Sequence, residues 1–97
     1  NLNFSGTSQK HYSPKKKIYL NVKQLKKRSA FINFGIDKKG QFKNLSKIGN
    51  LKEAAQNLYH FIYLADNNDL YENISIAPIP YKKIGLAIND RLLRASK

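Results

Sequence analysis

Residues 51–65 read LKEAAQNLYHFIYLA, and their apolar positions recur at spacings of three and four. That spacing places them on one face of an α-helix; they are Leu51, Ala54, Ala55, Leu58, Ile62 and Ala65. Asn50 is a good N-cap, Glu53 stands where a capping box has its acid, and the polar run 66–69 ends the pattern. The sequence therefore predicts an amphipathic helix over 51–65.

Three aromatic residues of this helix lie off its apolar stripe: Tyr59, Phe61 and Tyr63. Successive helical residues turn by about 100°, so these side chains widen the apolar surface over much of the circumference. Either the helix is buried on two sides, or its outer face meets a second domain. We favour the second explanation, because 97 residues enclose only one small core.

Short apolar runs rich in β-branched and aromatic residues flank the helix. They predict strands at 18–22, 30–34, 42–45 and 73–77. A second apolar periodicity predicts a closing helix that begins at residue 84. Strands followed by a helix, a strand and a helix indicate an α/β domain with a mostly parallel sheet. Residues 1–17, with small polar residues and Pro14, are predicted to be a linker arm.

Composition narrows the protein class. There is no Cys, which excludes thiol catalysis, disulfides and Cys-type zinc sites, and which suits the cytoplasm. No apolar run approaches the roughly 18 residues of a membrane span. The chain starts with Asn and contains no Met, so we expect it to be a fragment of a longer protein.

The positive charge is concentrated in the first half of the chain. Residues 1–50 hold twelve Lys/Arg and one acid, whereas residues 51–97 hold six Lys/Arg and five acids. Such a basic half attracts nucleic acid through phosphate contacts, and Lys26, Lys27 and Arg28 are the predicted contacts. The alternative is that an AT-rich genome, whose codons favour Lys, Asn, Ile and Tyr, produced the charge.

No complete catalytic or metal site can be assembled from the sequence alone. His60 is interpreted as structural, because it sits inside the main helix. His11 lies in the arm, and two interpretations stay open for it: a functional residue, or part of a tail without a function. No nucleophile-elbow sequence is present, and the five glycines match no phosphate-binding pattern. The loop acids lack the accompanying His that would suggest a metal site.

Three stretches match motifs of one known enzyme family. Residues 5–15, SGTSQKHYSPK, resemble the family's linker, which usually reads Pro-Gly, a few residues, then His-Tyr-Ala-Pro. The family's first helix motif is matched by NLS at 44–46 together with LKEAAQNLY at 51–59. Its closing helix motif is matched by IGLAINDRL at 84–92. Ser5, Ser13 and Ile84 depart from the usual residues. In order and spacing, nearly the whole chain resembles the C-terminal domain, with its linker, of two-domain threonylcarbamoyl-AMP synthases, the long form of the YrdC-type family.

The resemblance implies a small three-layer, Rossmann-like domain over 18–97, preceded by the linker over 1–17. It implies an N-terminal YrdC-like catalytic domain in the same chain, which uses ATP and magnesium to condense threonine and bicarbonate into threonylcarbamoyl-AMP and pyrophosphate, for tRNA modification. The linker would lie across that domain's cleft. The residues implied to face the active site are Gly6, Lys10, His11, Tyr12 and Pro14.

We therefore predict an accessory, lid-bearing domain of a cytoplasmic nucleotidyltransferase, without a cofactor or catalytic activity of its own. Its predicted partners are the catalytic domain and tRNA, with no membrane contact. The alternative is a free-standing basic module that binds RNA through residues 10–28. A third interpretation, a small Rossmann-like nucleotide binder, lacks the Gly-rich fingerprint of such sites.

Overall fold

A four-stranded sheet, parallel throughout, forms the centre of the protein in a computed structural model that describes residues 13–97. Its strands are β1 (Ile18–Tyr19), β2 (Ser29–Asn33), β3 (Lys43–Asn44) and β4 (Asn73–Ile76), in the spatial order β1-β4-β2-β3. Two helices accompany them, α1 (Leu51–Asp66) and α2 (Ile84–Ala95). The predicted α/β class and parallel sheet are confirmed, and the architecture is consistent with a small Rossmann-like domain.

Strand register separates the two faces of the sheet. Residue 30 of β2 pairs with residue 74 of β4, and residue 32 pairs with residue 76. Since side chains alternate along a strand, one face collects the buried apolar residues Ile18, Ala30, Ile32, Ile74 and Ile76. The opposite face carries the buried Phe31 and polar groups, including a buried hydrogen bond of 2.5 Å between the Ser29 and Ser75 hydroxyls.

Both helices pack on the apolar face. The predicted stripe of α1 is buried there, with Ala54, Leu58, Ile62 and Ala65 against the sheet, and α2 adds Ile88 and Leu92 to the same core. On the other face Val22 packs with Phe31 and Ala77. The third layer in the described part of the chain is therefore the irregular connection that follows β1, rather than a helix.

The start of α1 is held by an extended form of the predicted capping box. The Asn50 side chain accepts from the Glu53 backbone N–H at 2.8 Å, as expected of an N-cap. The Glu53 carboxylate, however, accepts from the Ser46 hydroxyl at 2.5 Å, and that hydroxyl in turn accepts from the Asn50 N–H at 2.9 Å. Ser46 thus bridges the two halves of the box and ties β3 to α1.

The start of α2 requires a glycine. A Cβ atom on Gly85 would overlap the carbonyl oxygen of Pro80, so only glycine allows the helix to pass this close to the preceding segment. The buried Asn89 side chain fixes the same contact by donating to the carbonyls of Ile79 at 3.0 Å and Gly85 at 2.9 Å. These two residues explain the GLAIN part of the closing motif as packing.

The change Gly85→Ala should lower the free energy of unfolding by about 3 kcal/mol, because backbone must move to admit the methyl group. Equilibrium denaturation in urea measures the change. Gly49→Ala is the control: its φ of 71° is strained for alanine, but no atom lies within 4 Å of the added Cβ, so a loss of only about 1 kcal/mol is expected. Equal losses in the two variants would contradict the packing explanation.

Candidate functional site

The linker residues that the resemblance implicates fall mostly outside the described residues. Four of them precede residue 13: Gly6, Lys10, His11 and Tyr12. Pro14 is the one that is described, and its side chain is half-buried. The observable geometry of this predicted site is therefore the point at which the linker joins the domain.

The linker joins the domain at Asp66, the last residue of α1. The Asp66 carboxylate accepts hydrogen bonds from two successive backbone N–H groups, that of Lys15 at 3.1 and 3.2 Å and that of Lys16 at 2.9 Å. Hydrogen bonds to an ionised acceptor are roughly twice as strong as neutral ones. We refer to Lys15, Lys16 and Asp66 as the linker clamp.

The Lys16 side chain reinforces the linker clamp. Its ammonium donates to the carbonyl oxygens of Ala65 at 2.9 Å and Asn68 at 2.6 Å. Since α1 has no basic residue in its own last turn, Lys16 supplies the positive charge that a helix C-terminus favours. The clamp therefore holds residues 15–16 against the end of α1, where the sequence had indicated only a helix stop.

The cations predicted to contact nucleic acid share one exposed turn before β2 but differ in their surroundings. Arg28 forms an ion pair with Glu72 at 3.1 Å, and its carbonyl accepts from the Glu72 N–H at 2.7 Å. The Lys26 ammonium lies 5.5 Å from the centre of the Tyr19 ring. Lys27 is exposed. Nucleic-acid contact by these three residues stays a prediction.

A groove of about 450 Å³ opens beside this turn. Its walls come from the end of β1 and the connection after it, and the lining residues are Tyr19, Leu20, Asn21, Val22, Lys23, Gln24 and Lys26. Lys26 belongs to the basic patch predicted from the sequence, whereas no role was predicted for Tyr19. The signal that could have found Tyr19 is an aromatic residue placed among lysines in an otherwise basic stretch.

The carboxyl edge of the sheet, where open α/β folds usually bind ligands, is occupied by a closed polar network. Asn44 donates to the Gly35 carbonyl at 2.8 Å and to the Asp37 carboxylate at 2.9 Å, and Gln41 donates to Asp37 at 2.9 Å. Two isoleucines project from these loops, Ile36 and Ile48, which are 89% and 83% exposed. The polar groups here serve the loops themselves and do not converge on a ligand site.

The aromatic residues off the stripe of α1 occupy different environments. Phe61 is half-buried against the core, with the Lys43 ammonium 5.7 Å from its ring centre. Tyr59 is half-buried, whereas Tyr63 is 43% exposed. Burial on a second side therefore accounts for Phe61, and contact with another domain stays a prediction that concerns chiefly Tyr63.

Residues 13–97 contain neither a cluster of metal-ligand side chains nor a helix suited to crossing a membrane. His, Cys, Asp and Glu residues do not come together there in groups of three or more that could hold a metal ion. Neither of the two helices in this range combines the length and the apolar character that a membrane crossing requires.

Comparison with known proteins identifies one family. Residues 1–97, the whole chain, match the sequence model of the family described as "Threonylcarbamoyl-AMP synthase, C-terminal domain". No curated protein and no solved structure matches the chain.

The change Asp66→Ala should release residues 15–16 from α1, because two backbone N–H groups lose their charged acceptor. We expect their amide hydrogen exchange to accelerate at least tenfold and the free energy of unfolding to fall by about 1–2 kcal/mol. Asp69→Ala removes a nearby exposed acid and should change neither quantity. Unchanged exchange at Lys15 and Lys16 in the Asp66 variant would show that the clamp does not hold the linker.

The pKa of Asp37 is lowered from 3.8, first by the Asn44 hydrogen bond, then by that of Gln41, with Lys47 contributing by its charge. A carboxyl group whose pKa is lower when folded stabilises the protein above its unfolded pKa. That stabilisation disappears as the pH falls through the folded value. NMR titration should place the Asp37 midpoint below 3.8. The stability difference between wild type and Asp37→Asn should shrink as the pH falls from about 3.8 through that midpoint and level off below it, and a difference that stays constant over this range would contradict it.

Proposed function

The chain belongs to the family of threonylcarbamoyl-AMP synthase C-terminal domains, and we propose that it is the accessory, linker-bearing domain of such an enzyme. In this proposal an N-terminal YrdC-like domain carries out the reaction, in which threonine, bicarbonate and ATP give threonylcarbamoyl-AMP and pyrophosphate. The product serves the modification of an adenosine beside the tRNA anticodon. The present domain supplies the linker that closes over the reacting nucleotide.

The observation that carries the proposal, beside the family match, is the linker clamp. A lid segment moves about a few hinge residues next to a stable element, which gives the lid one fixed end. Asp66 provides such a fixed end, because its carboxylate binds the Lys15 and Lys16 N–H groups at 2.9–3.2 Å and stands at the end of the 16-residue helix α1. The clamp thus gives the linker a fixed point of attachment at residues 15–16.

The chemistry of the linker suits a role at a nucleotide. His11 and Tyr12 offer aromatic rings with polar atoms, and Lys10 offers a positive charge for phosphate oxygens. Gly6 and Pro14 shape the backbone: glycine permits close approach, and proline keeps the segment out of a helix. We assign ATP and magnesium to the catalytic domain, and we assign the closing of the cleft to these five residues.

In the full-length synthase, His11→Ala or Tyr12→Ala should reduce the rate of threonylcarbamoyl-AMP formation about five- to a hundredfold, the effect of losing one hydrogen bond to the transition state. Pyrophosphate release with threonine, bicarbonate, ATP and magnesium measures the rate. In this proposal the linker serves the cleft rather than the core, so the melting temperature should stay unchanged. Ser13→Ala, which restores the residue usual in the family, is the matched control and should retain full activity.

Asp66→Ala in the same enzyme tests the clamp as the fixed end of the lid. It should slow pyrophosphate release, although Asp66 lies in the accessory domain, whereas Asp69→Ala should not. Full activity in the His11, Tyr12 and Asp66 variants would overturn the lid role. Synthase turnover by the isolated 97-residue chain would overturn the accessory role.

A further inference from the structure

Tyr19 presents an aromatic ring to solvent between two lysines. The ring is 37% exposed, and the ammonium groups of Lys17 and Lys26 lie 5.3 and 5.5 Å from its centre. Tyr19 sits on β1 with its side chain directed away from the core that its neighbour Ile18 enters. Its exposed position is therefore not required by the packing of that core.

Further lysines surround the groove beside this ring. Lys23 and Lys26 line it. Lys38, from the loop between β2 and β3, lies beside the groove, because its ammonium donates to the carbonyl of the lining residue Lys23 at 2.9 Å. Three separate parts of the chain thus bring positive charge to one opening, which the distribution of lysines along the sequence did not show.

This positive charge has no acidic partner within residues 13–97. The ion pairs found there engage Arg28, Lys47 and Arg94 and none of the lysines around Tyr19. Residues 15–28 contain seven Lys/Arg and no Asp or Glu. Lysines gathered around one ring without a counter-charge repel one another, and an anionic ligand relieves that repulsion.

The shape of the groove limits the ligand. A volume of about 450 Å³ falls within the range of small-molecule sites, roughly 300–1,000 Å³, and accepts a nucleotide unit. The partly exposed Tyr19 ring offers a surface on which an unpaired base can stack once the lysines over the ring turn toward phosphates. An acidic peptide or an anionic membrane would use the lysines but not the ring, and a duplex has no free base to stack.

We propose that this groove binds single-stranded nucleic acid, with one base stacked on Tyr19 and adjacent phosphates bound by Lys17, Lys23, Lys26 and Lys38. The proposal rests on the geometry of the groove and does not depend on the synthase role. The proposed site differs from the patch predicted from the sequence. It omits Arg28, which is paired with Glu72, and it includes the lysines that surround the Tyr19 ring.

The test measures binding of the 97-residue chain to a labelled single-stranded RNA of mixed sequence by fluorescence anisotropy. Tyr19→Ala should weaken binding about five- to a hundredfold, the usual effect of losing one base–aromatic stack. Tyr19→Phe keeps the ring and should bind within about twofold of wild type. Circular dichroism verifies that both variants fold. Equal binding by wild type and Tyr19→Ala, or equal losses in the two variants, would overturn the stacking role.

Salt dependence tests the lysines. Replacing Lys17, Lys23 and Lys26 by Ala should reduce the slope of log affinity against log salt by about 2, at roughly 0.7 per phosphate contact on a single strand. The matched control replaces Lys52, Arg91 and Lys97 by Ala and so removes the same charge from α1, α2 and the C-terminus. The slope of this control should equal that of wild type. The same loss of slope in both triple variants would show diffuse attraction by net charge and overturn the site.

Competitors identify the ligand class. Unlabelled single-stranded RNA and single-stranded DNA should both displace the probe. The one that competes at the lower concentration indicates the natural ligand, because only RNA offers the 2′-hydroxyl. A duplex of the same length, poly-glutamate and vesicles containing phosphatidylserine should compete at least tenfold less well. Equal competition by any of these three would overturn the proposal of a single-strand site.

Discussion

β4 lies between β1 and β2 and pairs in parallel with both, although about 40 residues separate it from β2 along the chain. Parallel neighbours cannot be joined by a tight turn, so the chain must cross one face of the sheet before it returns. α1 makes this crossing, and its stripe of Ala54, Leu58, Ile62 and Ala65 covers the apolar side chains of β2 and β4. The start of α1 is tied to the end of β3 through Ser46, and its last residue, Asp66, is tied to the linker.

The polar residues of the family motifs act mainly as architecture. Ser46 and Glu53 join β3 to the first turn of α1, Asn57 donates to the Leu45 carbonyl at 2.9 Å, and Asn89 binds carbonyls at the start of α2. Each of these side chains satisfies a backbone or side-chain group that would otherwise be buried without a partner. A motif rich in Asn and Ser therefore marks places where loops meet helices, rather than chemistry.

Several acids of the described residues have partners, whereas one group of lysines has no acidic partner there. Asp66 is engaged by the backbone N–H groups of the linker, Glu72 by Arg28, and Asp37 by Lys47 and two amide side chains. These contacts use up acids that could have neutralised neighbouring lysines. The lysines around Tyr19 form no ion pair with an acid among residues 13–97. This excess of positive charge distinguishes their groove from the remaining basic surface.

Local pattern was sufficient for the secondary structure and the fold class. The 3.6-residue period, the Asn50 cap and the polar run at 66–69 located α1, because helix formation depends on neighbours three and four residues apart. The strands were located to within a few residues from short runs of β-branched and aromatic residues, although β1 and β3 are only two residues long. The matching motifs identified the family, while the predicted linker site depends on residues that precede the described part of the chain.

The contacts that give the candidate sites their character join distant residues. The linker clamp links positions 50 residues apart. The lysines around Tyr19 come from the residue before β1, the connection after β1 and the loop after β2. No periodicity encodes such contacts, since they depend on which strand neighbours which and on where each loop ends. Composition alone determined that the chain is strongly basic. Only the tertiary structure decided which cations are paired and which stay free, because pairing requires the folded chain to bring each charge near another.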